Sequence, residues 1–204
     1  GASAFYNCQK LTGVLEIPET FIEIPQGCFY NTGFSTIILP DSITTINSAA
    51  FQRCIKLTKI DLPKNLVVIA DQAFENCTAL TGDLEFPASV TNIGNYAFQS
   101  CTKLATITLP ENLTSIGASA FYYCSSLENI KIPEKITIIE NGVFYNCSKL
   151  KTIEIPEGIT SIGNTAFSGC VNWEVENLKF PKNLTFLGAS AFYNCQKLTG
   201  VLEI

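Results

Sequence analysis

The chain has 204 residues, 47% of them apolar and only 15% charged, with a net charge of −5. That balance is enough to bury one domain's core and argues against nucleic acid or an anionic membrane as partner. Histidine is absent, which removes the commonest general base and metal ligand. No apolar run approaches the roughly 20 residues of a membrane-spanning helix. There is no Lys/Arg-led leader and no initiating Met, so the chain reads as a mature form or an excerpt.

In chain order the sequence is one theme repeated. Residues 1–17, GASAFYNCQKLTGVLEI, form a first partial unit, in which Phe5 opens a column. Prolines then fall at 18, 40, 63, 87, 110, 133, 156 and 181, with gaps of 22 to 25 residues. Eleven residues after each stand Phe29, Phe51, Phe74, Phe98, Phe121, Phe144, Phe167 and Phe192. Self-similarity at this period marks a solenoid of stacked coils. Each unit has three predicted parts. The stretch before the proline, such as Ile153-Glu-Ile155-Pro156, alternates apolar and polar residues and reads as a strand that the proline ends. A short run such as Ile159-Thr-Ser-Ile162-Gly163 suits a brief second strand and a tight turn. The last part, such as Asn164-Thr-Ala166-Phe167-Ser-Gly-Cys170, has room for a single helical turn, with the small Ala allowing close approach and the Phe plugging the core.

The unit at 18–39 is the least regular, with Pro25 in the usual Gly place and Ile38 at a position normally polar. Units from 40 to 156 are close to ideal. Leu80-Thr-Gly-Asp-Leu84, Trp173-Glu-Val-Glu-Asn-Leu178 and Leu198-Thr-Gly-Val-Leu202 carry inserts that predict bulges at the strand start. Trp173 takes a Leu place and reads as core. Residues 188–204 repeat residues 1–17 without a change, at an offset of 187 residues, or eight units.

The pattern C-x-x-L-x-x-I-x-(I/L)-P-x-x-(I/V/L)-T-x-I-G-x-x-A-F resembles the BspA-like (Treponema pallidum type) leucine-rich repeats. Cys101-Thr-Lys-Leu104-Ala-Thr-Ile107-Thr-Leu109-Pro110 and Leu113-Thr-Ser-Ile116-Gly117-Ala-Ser-Ala120-Phe121 match it clearly, and the resemblance covers essentially the whole chain. It implies a right-handed leucine-rich repeat solenoid of the β-rich α/β horseshoe class. A parallel concave sheet, short second strands and single helical turns would be spread over about eight repeats in one domain, 1–204. It also implies a surface or extracellular protein that adheres to host proteins or cells.

The nine cysteines form no C-x-x-C pair. Eight recur three residues after the Phe, once per unit, where stacked side chains point the same way and suit a disulfide poorly. They read as a ladder of buried free thiols. Cys28 stands outside that column. It replaces the Ala before Phe29, while Thr32 takes the Cys place.

Leucine-rich repeats generally bind on the concave sheet. Its candidate outward positions, two before each proline, are Glu16, Asp61, Glu85, Lys131, Glu154 and Lys179, together with Ile38, Thr108 and Glu203. A second candidate is a tyrosine ridge at Tyr6, Tyr30, Tyr122, Tyr145 and Tyr193 with Tyr123 beside it, since Tyr buries much area at low entropic cost. Four N-x-(S/T) sequons, at Asn76, Asn112, Asn146 and Asn183, are candidate glycosylation sites in a secreted eukaryotic protein. No catalytic or metal-ligating set, phosphate loop or cofactor motif is visible, so a non-enzymatic binding module is expected. The identical ends give an alternative expectation, in which 187-residue super-repeats stack head to tail as units of a fibre, or the chain is an excerpt of a longer array.

Overall fold

A computed structural model describes residues 1–201. Of the expected sheet positions, Glu203 lies outside the described residues. Coil stacks on coil, and each contributes short strands to two sides of the solenoid. On the first side lie β1 (Thr12–Glu16), β3 (Gly33–Ile38), β5 (Lys59–Ile60), β7 (Asp83–Glu85), β9 (Thr106–Thr108), β13 (Val175–Glu176) and β15 (Leu198–Thr199). On the second lie β2 (Glu23–Ile24), β4 (Thr45–Ile46), β6 (Val68–Ile69), β8 (Asn92–Ile93), β10 (Ser115–Ile116), β11 (Ile138–Ile139), β12 (Ser161–Ile162) and β14 (Phe186–Leu187). Pairing is parallel and joins like positions of neighbouring coils, as in Ile46 with Ile69 and Ile93 with Ile116.

The first-side sheet is interrupted. β1, β3 and β5 form one piece, β7 and β9 another that bridges on through Asn129 and Thr152, and β13 and β15 a third. Each break falls where a coil carries an insert. The inserts become left-handed bulge residues: Gly13, Gly82 and Gly200 have φ of 86°, 86° and 84°, and Asn177 has φ of 57°. At Gly13/Val14 the register of β1 on β3 shifts. The inserts therefore act as expected, by opening the ladder locally.

The third side differs from the expected helical turn. It is a run of overlapping turns in every coil, and no helix occurs among the described residues. The reason is a backbone that alternates hands. The residues two before and two after the Phe adopt positive φ, for example Ala49 (56°) and Arg53 (62°) around Phe51. This rotation aims alternate N–H groups along the solenoid axis. Ala49, Phe51 and Arg53 donate to the carbonyls of Asp71, Ala73 and Glu75 in the next coil at 2.9, 2.8 and 2.7 Å. A helix would have turned those donors back into its own coil. Left-handed φ costs a non-glycine residue roughly 1–2 kcal/mol, and Asn, the most tolerant, holds the second position at 7, 31, 76, 146 and 194.

The core follows the columns. Phe51, Phe74, Phe98, Phe121, Phe144 and Phe167 are fully buried. Nine rings from Phe5 to Phe192 stack in one file, neighbouring centroids 5.1 to 5.8 Å apart. Trp173 is buried and tilts against Phe167 at 5.0 Å and Phe192 at 5.7 Å, as its Leu place predicts. The recurring Gly has a steric cause. A Cβ on Gly117 would lie 2.5 Å from the Asn95 nitrogen of the preceding coil, and one on Gly163 2.6 Å from that of Asn141.

Candidate binding surfaces

The tyrosines come from the turn side, where the residue after the core Phe points outward in every coil but that of buried Ser168. Tyr6 and Tyr30 stack face to face at 4.2 Å. Tyr122 and Tyr145 stack at 4.5 Å, and Tyr123 leans on both at 5.0 and 5.7 Å. Gln52, Glu75 and Gln99 occupy the column between these two groups, and buried Ser168 separates Tyr145 from Tyr193. The expected ridge is therefore two clusters and an isolated Tyr193. Tyr123 is 42% exposed and Tyr193 69% exposed, whereas Tyr30, Tyr122 and Tyr145 are half-buried by their neighbours. Burial raises the Tyr122 pKa, as do the nearby Tyr145 and Tyr123; a hydrogen bond with Tyr30 raises that of Tyr6. These phenols stay neutral donors and acceptors around neutral pH.

On the first-strand face Glu16, Asp61, Glu85, Lys131, Glu154 and Lys179 are all exposed. Two of them meet at one depression of about 330 Å³, lined by Thr106, Asn129, Lys131, Thr152 and Glu154 over the apolar floor of Ile107, Ile130 and Ile153. Lys131 also reaches back to Glu111 at 3.0 Å, which raises the lysine pKa. Asp61 is paired with Lys59 at 3.0 Å. Glu16 sits opposite exposed Ile38 in the β1–β3 register. The remaining candidates lie on separate coils, so this face is a mixed strip rather than one concentrated site.

All nine cysteines are free thiols. The column is more than small apolar filling. Cys54, Cys77, Cys101, Cys124, Cys147, Cys170 and Cys195 each donate S–H to the Phe carbonyl of the preceding coil, 3.1 to 3.3 Å away. Thr32, in the same column, donates its hydroxyl instead to Phe29 O of its own coil at 3.0 Å. Burial pushes the Cys124 thiol up to about 12 and that of Cys195 to about 11. A thiol so far from ionisation is a poor nucleophile.

The sequons divide by backbone. Asn112 and Asn183 are exposed in the turn after a proline. Asn76 and Asn146 occupy the left-handed position after the Phe, at φ of 60° and 54°, and are half-buried. Asn76 also donates to Glu75 Oε1 at 3.0 Å. One ladder escaped the sequence reading. The side-chain oxygens of Asp71, Asn95, Asn141 and Asn164 accept the backbone N–H of Asn95, Ala118, Asn164 and Ala189 in the following coil, at 2.7 to 2.8 Å. The signal for it was present, an Asp or Asn following the Gly place in four coils, at 71, 95, 141 and 164.

A family profile for the BspA type leucine rich repeat region matches residues 1–82 and 81–199, in six copies. No curated protein sequence matches the chain at a significant level. Among solved structures, the leucine-rich repeat protein of T. pallidum is 30% identical with a TM-score of 0.73, over 78% of this chain and 77% of that one. A leucine-rich cell surface protein of Faecalibacterium prausnitzii A2-165 is 32% identical with a TM-score of 0.64, over 98% of this chain and 62% of that one. A leucine-rich repeat protein of Bacteroides ovatus ATCC 8483 is 27% identical with a TM-score of 0.65, over 92% of this chain and 59% of that one. The chain thus spans about three fifths of the latter two. With its Phe, Cys and Gly columns stacked coil on coil and the profile running through almost every coil, the chain belongs to the BspA-type leucine-rich repeat family.

Proposed function

We propose that this chain is a non-enzymatic extracellular or cell-surface module that adheres to a protein partner through the Tyr122–Tyr123–Tyr145 cluster. The carrying observation is that cluster's geometry, in which Tyr122 and Tyr145 stack, Tyr123 tilts against both, and the buried core lies behind them. Little rotamer entropy remains to be lost on binding, which is why Tyr serves so often as an interface anchor. The similarity to a leucine-rich cell surface protein supports the location. The test is adhesion of the purified chain to epithelial cells and to immobilised extracellular glycoproteins, with and without Tyr122→Ser, Tyr123→Ser and Tyr145→Ser together. Loss of adhesion with an unchanged unfolding midpoint is expected. Undiminished adhesion by the triple variant sinks the assignment.

A second reading is favoured by the identity of 1–17 with 188–204. The turns around Phe5 and Phe192 keep the same backbone hand in the two copies: φ is 55° at Ser3 and 56° at Ser190, 63° at Asn7 and 61° at Asn194. Under this reading 187 residues are the period of a continuous structural solenoid, a building unit of a fibre or sheath. Negative-stain microscopy of concentrated protein tests it. Long filaments support head-to-tail stacking, and isolated short rods reject it.

A further inference from the structure

One edge of the solenoid, at the start of the first strand, carries a pattern that the tyrosine cluster and the sheet face do not use. The residue just before each core Leu, Phe or Trp of that strand is Lys10, Lys56, Lys103, Lys149 and Lys197 in alternate coils. In the coils between them it is Gly33, Ala79, Ser126 and Asn172. The alternation holds through all nine positions, and the eight-unit offset of the repeated segment keeps it in phase because eight is even. All five lysines are exposed, and among the described residues none is in an ion pair. The adjacent column on the Cys side has no carboxylate in any coil. On the strand side only Glu128 and Glu174 intrude, and Glu128 is held by Lys151 at 2.7 Å. Between Lys149 and Lys197, around Asn172, lies an open depression of about 570 Å³.

Coils rise about 4.8 Å each, so the charges recur about every 10 Å over some 40 Å of edge. At physiological ionic strength the screening length is about 8 Å. Each lysine therefore acts on what lies directly over it, and the net negative charge elsewhere is largely screened. We propose that this edge binds a linear acidic polysaccharide, with one anionic group over each lysine and one disaccharide per two coils. An evenly charged strand that runs straight matches a straight row with neutral gaps. A globular protein partner would call for aromatic or Arg anchors at the centre of the contact, and the row has none. A nucleic-acid strand carries a phosphate about every 3.4 Å and binds single-stranded through stacked aromatics, which this edge lacks.

The test is calorimetric titration of the full 204-residue chain with chondroitin sulfate of defined length, at low and physiological salt. Oligothymidylate and polyglutamate are run as competing polyanions. Salt-sensitive binding to the polysaccharide is expected. Removing three charges, as Lys56→Ser with Lys103→Ser and Lys149→Ser, should weaken Kd about tenfold or more. Moving one, as Lys103→Ser with Ser126→Lys, keeps the net charge but breaks the two-coil period and should weaken Kd about threefold. Unfolding midpoints check that each variant folds, and Lys→Gln versions replace any that do not. No binding of the polysaccharide at low salt overturns the proposal. Equal affinity of the moved-charge variant removes the spacing argument and overturns it too. Equal affinity for either competing polyanion overturns the choice of polysaccharide.

Discussion

Phe98→Ala tests whether the stacked rings are the mechanical spine of the solenoid. Phe98 is fully buried. Its ring lies 5.1 Å from Phe74 and 5.8 Å from Phe121 along the file, with Phe86 edge-on at 5.5 Å. Truncating a buried Phe costs about 3–5 kcal/mol, and three aromatic partners place this site at the upper end, about 5 kcal/mol. Phe5 is the control. It is 44% exposed and stacks only on Phe29, so Phe5→Ala should cost about 1–2 kcal/mol. Urea unfolding is followed by circular dichroism and by fluorescence of Trp173, the sole Trp. Because solenoid stability is a sum of coil and interface terms, a weakened middle should broaden the dichroism transition while the Trp173 transition moves less. Equal costs at the two sites, or a loss below about 2 kcal/mol at Phe98, would refute the reasoning.

Further outcomes follow from other columns. Gly117→Ala drives a methyl into the Asn95 backbone and should lower stability by about 1–3 kcal/mol in urea titration. Arg53→Asn puts the residue that five other coils use at a left-handed position (φ 62°) and should raise stability by about 0.5–1 kcal/mol in the same assay. The folded pKa of Cys124, raised from 9.0 to about 12, leaves stability fully present below pH 9 and lost as pH rises toward 12. Each such thiol should then contribute a loss of about 1.4 kcal/mol per pH unit, read as a falling urea midpoint. A thiol reagent at neutral pH should label the half-buried Cys8 and Cys195 first and reach the inner seven only on unfolding.

The architecture was legible because it is written nine times. The Phe column and the proline spacing place every coil, and the inserts at Gly82 and Asn177 mark the breaks in the first-side sheet. The third side was misread for a physical reason. Asn164-Thr-Ala-Phe is short enough for a helical turn, and nothing in its composition shows that Thr165 stands at φ 53°. That hand is imposed by the neighbouring coil, which offers the Ala189 carbonyl to the Thr165 N–H at 2.9 Å. The tyrosine groups were legible as a column but not as stacked pairs, because ring contacts depend on side-chain rotamers. The cysteines were recognisable as unpaired from their period alone, while their S–H bonds to the Phe carbonyls needed coordinates.

Those S–H bonds give the fold a further property. Among the described residues the ties between coils are hydrogen bonds, ion pairs and apolar contacts, and none is a covalent bond made by oxidation. The chain can reach its final form equally well in a reducing or an oxidising milieu, without an oxidase, an isomerase or a search among pairings. Adding or removing reductant should leave its melting temperature where it was. The thiols of the inner coils are shielded inside the stack, and the redox state of the surroundings does not enter the stability of those coils.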